Sequence, residues 1–288
     1  MPVPASPTLP PDWLRVEMLE RHLVLQHLEI MPGTTVIEVG SGPHAIATVP
    51  LAHAVGGSGR VIAVERARWQ HFAPIVSAGG VRPRVRPIAA DARWLPLRDN
   101  AAALAACIHG LRSLGEDGAV VAVLREMFRV ADRVAIAESL PRAVTGAQRA
   151  HLAMYDLRAE VFSARTGRSD DLRYRELSRL IRLIEEAGGR PLASKVLGVD
   201  LPHALAYFPR RTVEEVPDET VRPGLLRRWD DAEALGRRDG TDHPPVGIVL
   251  AQRSGSVARD VRPSSSGPWA SRPEREGRRG DREVRGSS

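Results

Sequence analysis

The 288-residue chain holds one cysteine, Cys107, and one lysine, Lys195. A lone cysteine excludes an intramolecular disulfide and a zinc site built from thiolates. Cys107 falls in the apolar run from Ala101 to Ile108, so a buried, inert thiol is expected there. Aromatic side chains make up only 4% of the chain, and a core must therefore be built from Leu, Val, Ile and Ala. No apolar run approaches the roughly 20 residues that cross a bilayer. The N-terminus carries prolines where a secretory leader would have a basic and then an apolar stretch, so a cytoplasmic protein is the expectation. Charge is not scarce, but it is unevenly placed. Of the net +6, most comes from residues 253–288, where nine Arg face five Asp and Glu among Ser, Gly and Pro. Such a tail is expected to be disordered. Its acids interleave with its arginines, which favours a solvated extension over a nucleic-acid tether. Residues 1–11 are proline-rich and are expected to be disordered as well. One α/β domain over residues 12–252 accounts for the rest.

The densest information lies in Thr35-Val36-Ile37-Glu38-Val39-Gly40-Ser41-Gly42-Pro43-His44. Four β-prone residues surround a carboxylate and run into two glycines one residue apart. Without a Cβ, those glycines allow a tight turn and a close approach to a ligand. Ile46, Val49, Leu51 and Val55 then suit a helix over 45–55. A strand, a glycine turn and a helix form a nucleotide cradle of the Rossmann kind. Two more strands end in acids: Arg60–Val64 in Glu65, and Arg84–Ala89 in Asp91. Glu65 is placed to accept ribose hydroxyls, and Asp91 an exocyclic adenine amine.

Alternation of strand and helix continues, with strands predicted over 103–109, 133–138, 193–199 and 245–251. Helices are predicted over 13–28, 68–77, 117–130, 147–164, 174–187 and about 225–235. The first should bury Leu14, Met18, Leu19, Leu25 and Leu28. The pattern predicts a doubly wound, mostly parallel seven-stranded sheet with helices on both faces. Ligands in such sheets bind beyond the carboxyl ends of the strands, where Glu38, Glu65, Asp91, His109 and Glu138 all fall. Segments 141–173 and 209–243 are predicted to be cap or insertion elements.

Residues 13 to 140 resemble class I S-adenosylmethionine-dependent methyltransferases. Glu38 to His44 resembles motif I of that family, Glu65 its ribose acid and Asp91-Ala92 its adenine-edge pair. Met31-Pro32-Gly33-Thr34-Thr35 resembles the usual entry to the first strand, and Leu95-Pro96-Leu97-Arg98-Asp99-Asn100 the segment after the third. His44 stands where the family has a third glycine. The resemblance implies S-adenosylmethionine as cofactor, held by Glu38, Gly40, Ser41, Gly42, Glu65, Arg66, Asp91, Ala92 and His109. Within the family, His109 to Leu114 and Leu124 to Val130 are similar to ubiquinone/menaquinone-biosynthesis C-methyltransferases. Ala131-Asp132-Arg133 replaces their Gly-Gly turn.

Methyl transfer from a sulfonium needs mainly positioning, and a base only where the acceptor must lose a proton. His109 is the candidate for that base, ahead of Tyr155 and His151; no metal-type spacing of histidines occurs. Cys107-Ile108-His109-Gly110 replaces the Asn/Asp-Pro-Pro-aromatic signature of base-amine methylation, which disfavours adenine or cytosine amines and leaves small molecules, lipids, quinones or protein side chains open as acceptors, a small molecule being the expectation. Two alternatives share these residues. Gly40-x-Gly42-x-x-Ala45 fits a nicotinamide-dependent oxidoreductase, although neither Tyr155 nor Tyr174 has a lysine four residues on. A non-catalytic protein that binds S-adenosylmethionine would also keep the cradle.

Overall fold

The computed structural model of the chain describes residues 12–66, 69, 71–167, 173–202 and 209–255. The expectations for residues 1–11 and for the tail beyond 255 lie outside them. Seven strands form one sheet: β1 (Thr35–Val39), β2 (Arg60–Glu65), β3 (Val85–Ala89), β4 (Ala102–Ile108), β5 (Ala131–Ser139), β6 (Gly189–Leu197) and β7 (Val246–Arg253). Their order is β3-β2-β1-β4-β5-β7-β6. β1 to β5 run parallel, and β7 lies antiparallel between β5 and β6. Chain order reverses between β1 and β4, which opens a crevice beyond their carboxyl ends.

Burial follows position in the sheet. β4 and β5 are buried along nearly their whole length, whereas the edge strand β6 alternates with period two. That is the pattern of a strand covered on one face only. One face is filled by α4 (Asp117–Val130) and α6 (Leu177–Glu186), which bury Leu124, Met127, Phe128, Leu180, Leu183 and Ile184 against Ile37, Ala105 and Ile136. α1 (Asp12–Leu25), α2 (Thr48–Ala54) and α3 (Phe72–Ala78) complete the first half. Among the described residues, no helix is long and apolar enough to cross a membrane.

The two predicted cap segments share an apolar core of their own. α5 (Gly146–Thr166), α7 (Arg210–Glu214) and α8 (Arg222–Asp239) bury Met154, Leu157, Val161, Val213, Leu225 and Trp229 together. α5 opens with a capping box: Thr145 accepts from Gln148 N–H, and the Gln148 side chain accepts from Thr145 N–H. Gln148 Nε2 also donates to the His243 carbonyl, 3.1 Å away, which anchors α5 to the approach to β7.

Several predicted bounds shift by a few residues, two of them with a clear backbone cause. The helix after the glycine turn begins at Thr48 rather than Ala45, because Ala45 sits in the left-handed region at φ 48. β6 begins at Gly189 rather than Ala193. Gly188, at φ 86, ends α6, and Gly189 passes directly beneath Phe128. A Cβ at Gly189 would lie 2.2 Å from Phe128 Cζ and 2.9 Å from Ile184 Cγ2. Gly189→Ala is therefore expected to destabilise the fold by about 1–3 kcal/mol through overpacking. A thermal melt checks this, and an unchanged midpoint would mean that β6 does not start beneath Phe128.

Candidate active site

The β1–α2 turn is built by two glycines that use their freedom. Gly40 (φ 79) and Gly42 (φ 67) take the left-handed conformation that side-chain-bearing residues avoid. The amides of Gly40 and Ser41 both donate to the Val64 carbonyl, at 2.9 and 3.1 Å, and so pin the turn to β2. Beside Gly42 there is open space where a side chain would stand. At the tip of β2, Glu65 reaches across to this turn: its Oε2 accepts the Gly42 N–H at 3.1 Å, and its Oε1 accepts the Arg66 N–H at 2.9 Å. Ser41 Oγ is buried and has no hydrogen-bond partner among the described residues.

The sequence-predicted residues fall into three groups. Gly40, Ser41, Gly42, Glu65, Arg66, Asp91 and Ala92 lie along one rim, at the ends of β1, β2 and β3. Asp91 is gripped by Arg93, with Nη2 2.7 Å from Oδ2 and Nε 3.0 Å from Oδ1. Those bonds hold its carboxyl at about 2. Its side chain keeps 29% of its exposure, so it remains open to a ligand from the rim. Glu38 differs. It is 2% exposed and accepts the Thr48 hydroxyl at 2.6 Å. Burial pushes its carboxyl up to about 7, against that hydrogen bond. Its carboxylate braces α2 against β1 from below the turn, which corrects the expectation of a handle facing the crevice.

His109 forms the third group, across the crevice at the end of β4. Its backbone is left-handed, at φ 55, and its amide donates to Ala137 at 2.8 Å. Nδ1 accepts the Ser139 N–H at 3.2 Å, so the ring hydrogen sits on Nε2, which donates to Glu20 Oε1 at 3.0 Å. Both ring nitrogens are engaged within the protein, Nε2–H as donor to Glu20 and the Nδ1 lone pair as acceptor from Ser139. The expectation that His109 acts as base is corrected on that ground: it clamps α1 to β4 and β5.

The sequence reading missed what α1 brings. Of the five apolar residues expected to be buried, Leu14, Leu25 and Leu28 are, whereas Leu19 is 47% exposed. The covered face carries Glu17, Glu20 and Arg21 instead. Arg21 pairs with Glu20 and, at 3.1 Å, with Glu17; Glu17 also meets His243 Nε2 at 3.3 Å. Burial raises the Glu20 carboxyl, but Arg21 and His109 outweigh it and bring it to about 2. The signal was present in the spacing Leu14, Glu17, Arg21, Val24, Leu28, a helical seam that admits charge because it lies over polar strand ends. The start of α1 also reaches the glycine turn. The His44 ring stacks on His71 at 5.0 Å and meets Trp13 edge-on at 5.2 Å, so the residue in the third-glycine position holds the rim to α1.

A second polar cluster sits at the end of β5. Glu138 Oε1 accepts the Leu111 N–H at 2.6 Å. Tyr174 hydrogen-bonds to the Arg112 and Ser139 side chains and stacks on Tyr155 at 3.9 Å. Arg175 locks the turn below, through Leu111 O at 3.2 Å, Leu114 O at 2.7 Å and Asp117 Oδ1 at 2.7 Å.

No protein-family model matches the chain. No curated protein sequence matches it either. Solved structures do. A cyclopropane-fatty-acyl-phospholipid synthase-like protein from Lactobacillus casei superposes with a TM-score of 0.67 at 16% identity, over 84% of this chain and 94% of that one. The cyclase SpnF matches at 0.52 and 18% identity, over 82% and 81%. A geranyl diphosphate methyltransferase in complex with SAM matches at 0.51 and 13%, over 83% and 86%. At these identities the likeness is one of fold: the chain has the α/β fold of class I S-adenosylmethionine-dependent methyltransferases.

The His109 clamp has a pH signature. Burial and the Arg21 charge lower its imidazole from 6.5 to about 4, against the pull of Glu20. A folded-state value below the unfolded one means that the unfolded chain takes up the proton first. This residue therefore subtracts stability as pH falls from 6.5 towards 4 and costs nothing above 6.5. Long-range ¹⁵N NMR is expected to show His109 as the neutral Nε2–H tautomer down to about pH 5. Titration at its ordinary value would mean that the Ser139 and Glu20 bonds are not made.

Proposed function

We propose that the chain is an S-adenosylmethionine-dependent methyltransferase acting on a small-molecule acceptor. The domain spans residues 12–252, with 141–173 and 209–243 as its cap. The observation that carries this reading is the Glu65 carboxylate, set at the β2 tip and joined to the open, left-handed Gly42 of the turn. A ligand that spans turn and rim meets there the groups an adenosyl moiety needs: a carboxylate for two hydroxyls, an acid at the next strand for an amine, and glycines that allow close approach. The buried Ser41 hydroxyl without a partner is one more donor on that path. When bound, such a sulfonium supplies an already activated methyl group. The protein's own contribution is to hold and orient it and to exclude water, with α1 and its buried charges as the cover.

Two features count against a nicotinamide cofactor. Glu38 occupies the space beneath the turn, and Tyr155 and Tyr174 have no lysine partner four residues on. Fold alone does not separate an enzyme from a binding protein.

Calorimetry with S-adenosylmethionine tests the cofactor. Glu65→Ala is expected to weaken binding by about 1.5–3 kcal/mol, roughly 10- to 150-fold, as for a lost hydrogen bond to a charged group. Asp91→Ala should cost less, because Arg93 already competes for that carboxylate. Neither change should lower the melting midpoint by more than a few degrees, since both side chains lie on the rim. Parent-like binding by Glu65→Ala, or nicotinamide dinucleotide binding without S-adenosylmethionine binding, would overturn the assignment.

A further inference from the structure

The stretch from Val39 to Ala90 holds six arginines and one acid, Glu65, whereas the rest of the chain outside the tail is net acidic. Glu65 is itself engaged by the amides of Gly42 and Arg66. The fold gathers four of those arginines in one place. β3 is the outermost strand of the sheet and pairs only with β2. Arg82 and Arg84 belong to the short 3-10 turn that leads into it, Arg86 lies on it, and Arg60 opens β2 beside them. Ile62 pairs with Arg86, so Arg60, two residues earlier on β2, shares its face of the sheet. Arg60, Arg82 and Arg86 are exposed and Arg84 is half-buried. Among the described residues none of the four meets an acid, and Arg84 Nη2 donates only to the neutral Gly80 carbonyl, at 3.3 Å. The cap shows the contrast: Arg210, Arg211, Arg228 and Arg237 there each pair with a carboxylate.

Edge protection accounts for part of this. A charge and a proline blunt an edge strand against pairing with another chain, and Arg86-Pro87 supplies both. It does not account for Arg60, which lies on β2, or for Arg82 and Arg84, which precede the strand. At the far end of β3, Trp94 stands in the turn after the strand, with its amide on the Asp91 carbonyl at 2.9 Å. At 77% it has the greatest exposure of the large apolar side chains described. Cations without counter-charges along an edge, followed by a bare indole, are the two parts of a single-strand surface: charge for phosphates and a flat face for a base.

We propose that the β3 edge docks single-stranded nucleic acid, with Arg60, Arg82, Arg84 and Arg86 on its phosphates and Trp94 under a base. The arginines lie towards the amino ends of β2 and β3 and the cradle at their carboxyl ends, so this surface does not rest on the methyl-transfer reading. Geometry favours a linear polyanion over a membrane. Arg84 and Arg86 stand about 7 Å apart along the chain, at roughly 3.3 Å per residue. Between Val39 and Ala90 no large apolar side chain is exposed among the described residues, whereas binding in a lipid interface needs an apolar face to insert.

The test is fluorescence anisotropy of the full chain, without cofactor, on labelled oligothymidylate and oligouridylate of about 12 nucleotides. Binding should weaken about 50-fold between roughly 50 and 200 mM salt, as for about four phosphates neutralised on a single strand. Arg86→Gln should flatten the log–log salt slope by about 0.7. Changing Arg60, Arg82, Arg84 and Arg86 together to Gln should remove most of the binding while the basic tail stays in place. Trp94→Ala should weaken binding about 5- to 150-fold and leave the salt slope unchanged, because stacking releases no counterions. All five positions lie at the surface, and the single Arg86→Gln carries the test if the fourfold variant does not fold. Parent-like binding by the fourfold variant would place the affinity in the tail and overturn the proposal. Parent-like binding by Trp94→Ala, or binding to phosphatidylglycerol vesicles without binding to either oligonucleotide, overturns it as well.

Discussion

The close approach of two backbones, Gly40 after β1 and Gly110 after β4, sets the geometry of everything around the crevice. A side chain at Gly110 would drive into Cys107 Sγ at 2.6 Å and the Val39 carbonyl at 3.2 Å. With both residues bare, the two central strand ends close together. The turn after β1 can then lean on Val64 and meet Glu65, and the turn after β4 can present Leu111 N–H to Glu138. The meeting of the β1 turn with Glu65 and of the β4 turn with Glu138 are thus two consequences of one contact.

Around that contact the protein buries an unusual number of ionisable side chains. Glu17, Glu20, Arg21, Glu38, His109 and Glu138 are all nearly inaccessible. The buried pairs that Arg21 makes with Glu17 and Glu20 contribute little net stability, since desolvation offsets their attraction, but such pairs are costly to break one partner at a time, by about 3–5 kcal/mol. Their effect here is orientation. α1 has no apolar stripe strong enough to fix its rotation over polar strand ends. The Glu20–His109–Ser139 chain fixes it through directional bonds. His109 accepts a left-handed backbone to complete that chain, a strain the surrounding bonds compensate.

The same fold occurs in solved structures described as a methyltransferase, a cyclase and a cyclopropane synthase-like protein. A fold shared by proteins so differently described does not by itself set the activity. In this chain α1, α5 and the segment carrying Tyr174 and Arg175 bring buried acids, guanidiniums and stacked tyrosines to the ends of β4 and β5.

The strand ends and the rim were legible in the sequence because they are local. A β-prone run, an apolar run and a period-3.6 pattern gave β1, β4 and α4 nearly to the residue. A glycine pair followed at fixed distances by Glu65 and Asp91 marks the carboxyl edge of the first three strands whatever surrounds it. Two kinds of feature were not legible. Side-chain direction at Glu38 and His109 was settled by partners ten to ninety positions away in sequence, Thr48, Ser139 and Glu20, which decide whether a strand-end group faces a ligand or braces a neighbour. The buried face of α1 was misread for the same reason: its leucines were scored for an apolar floor, while the floor beneath it is made of polar strand tips. Sequence alone settled where the chain turns and which residues lie at the sheet's carboxyl edge, since backbone conformation is fixed by neighbours a few positions apart. Only the tertiary structure decided which of those edge residues stay available for chemistry, because hydrogen-bond satisfaction and desolvation depend on groups that folding brings together from distant parts of the chain.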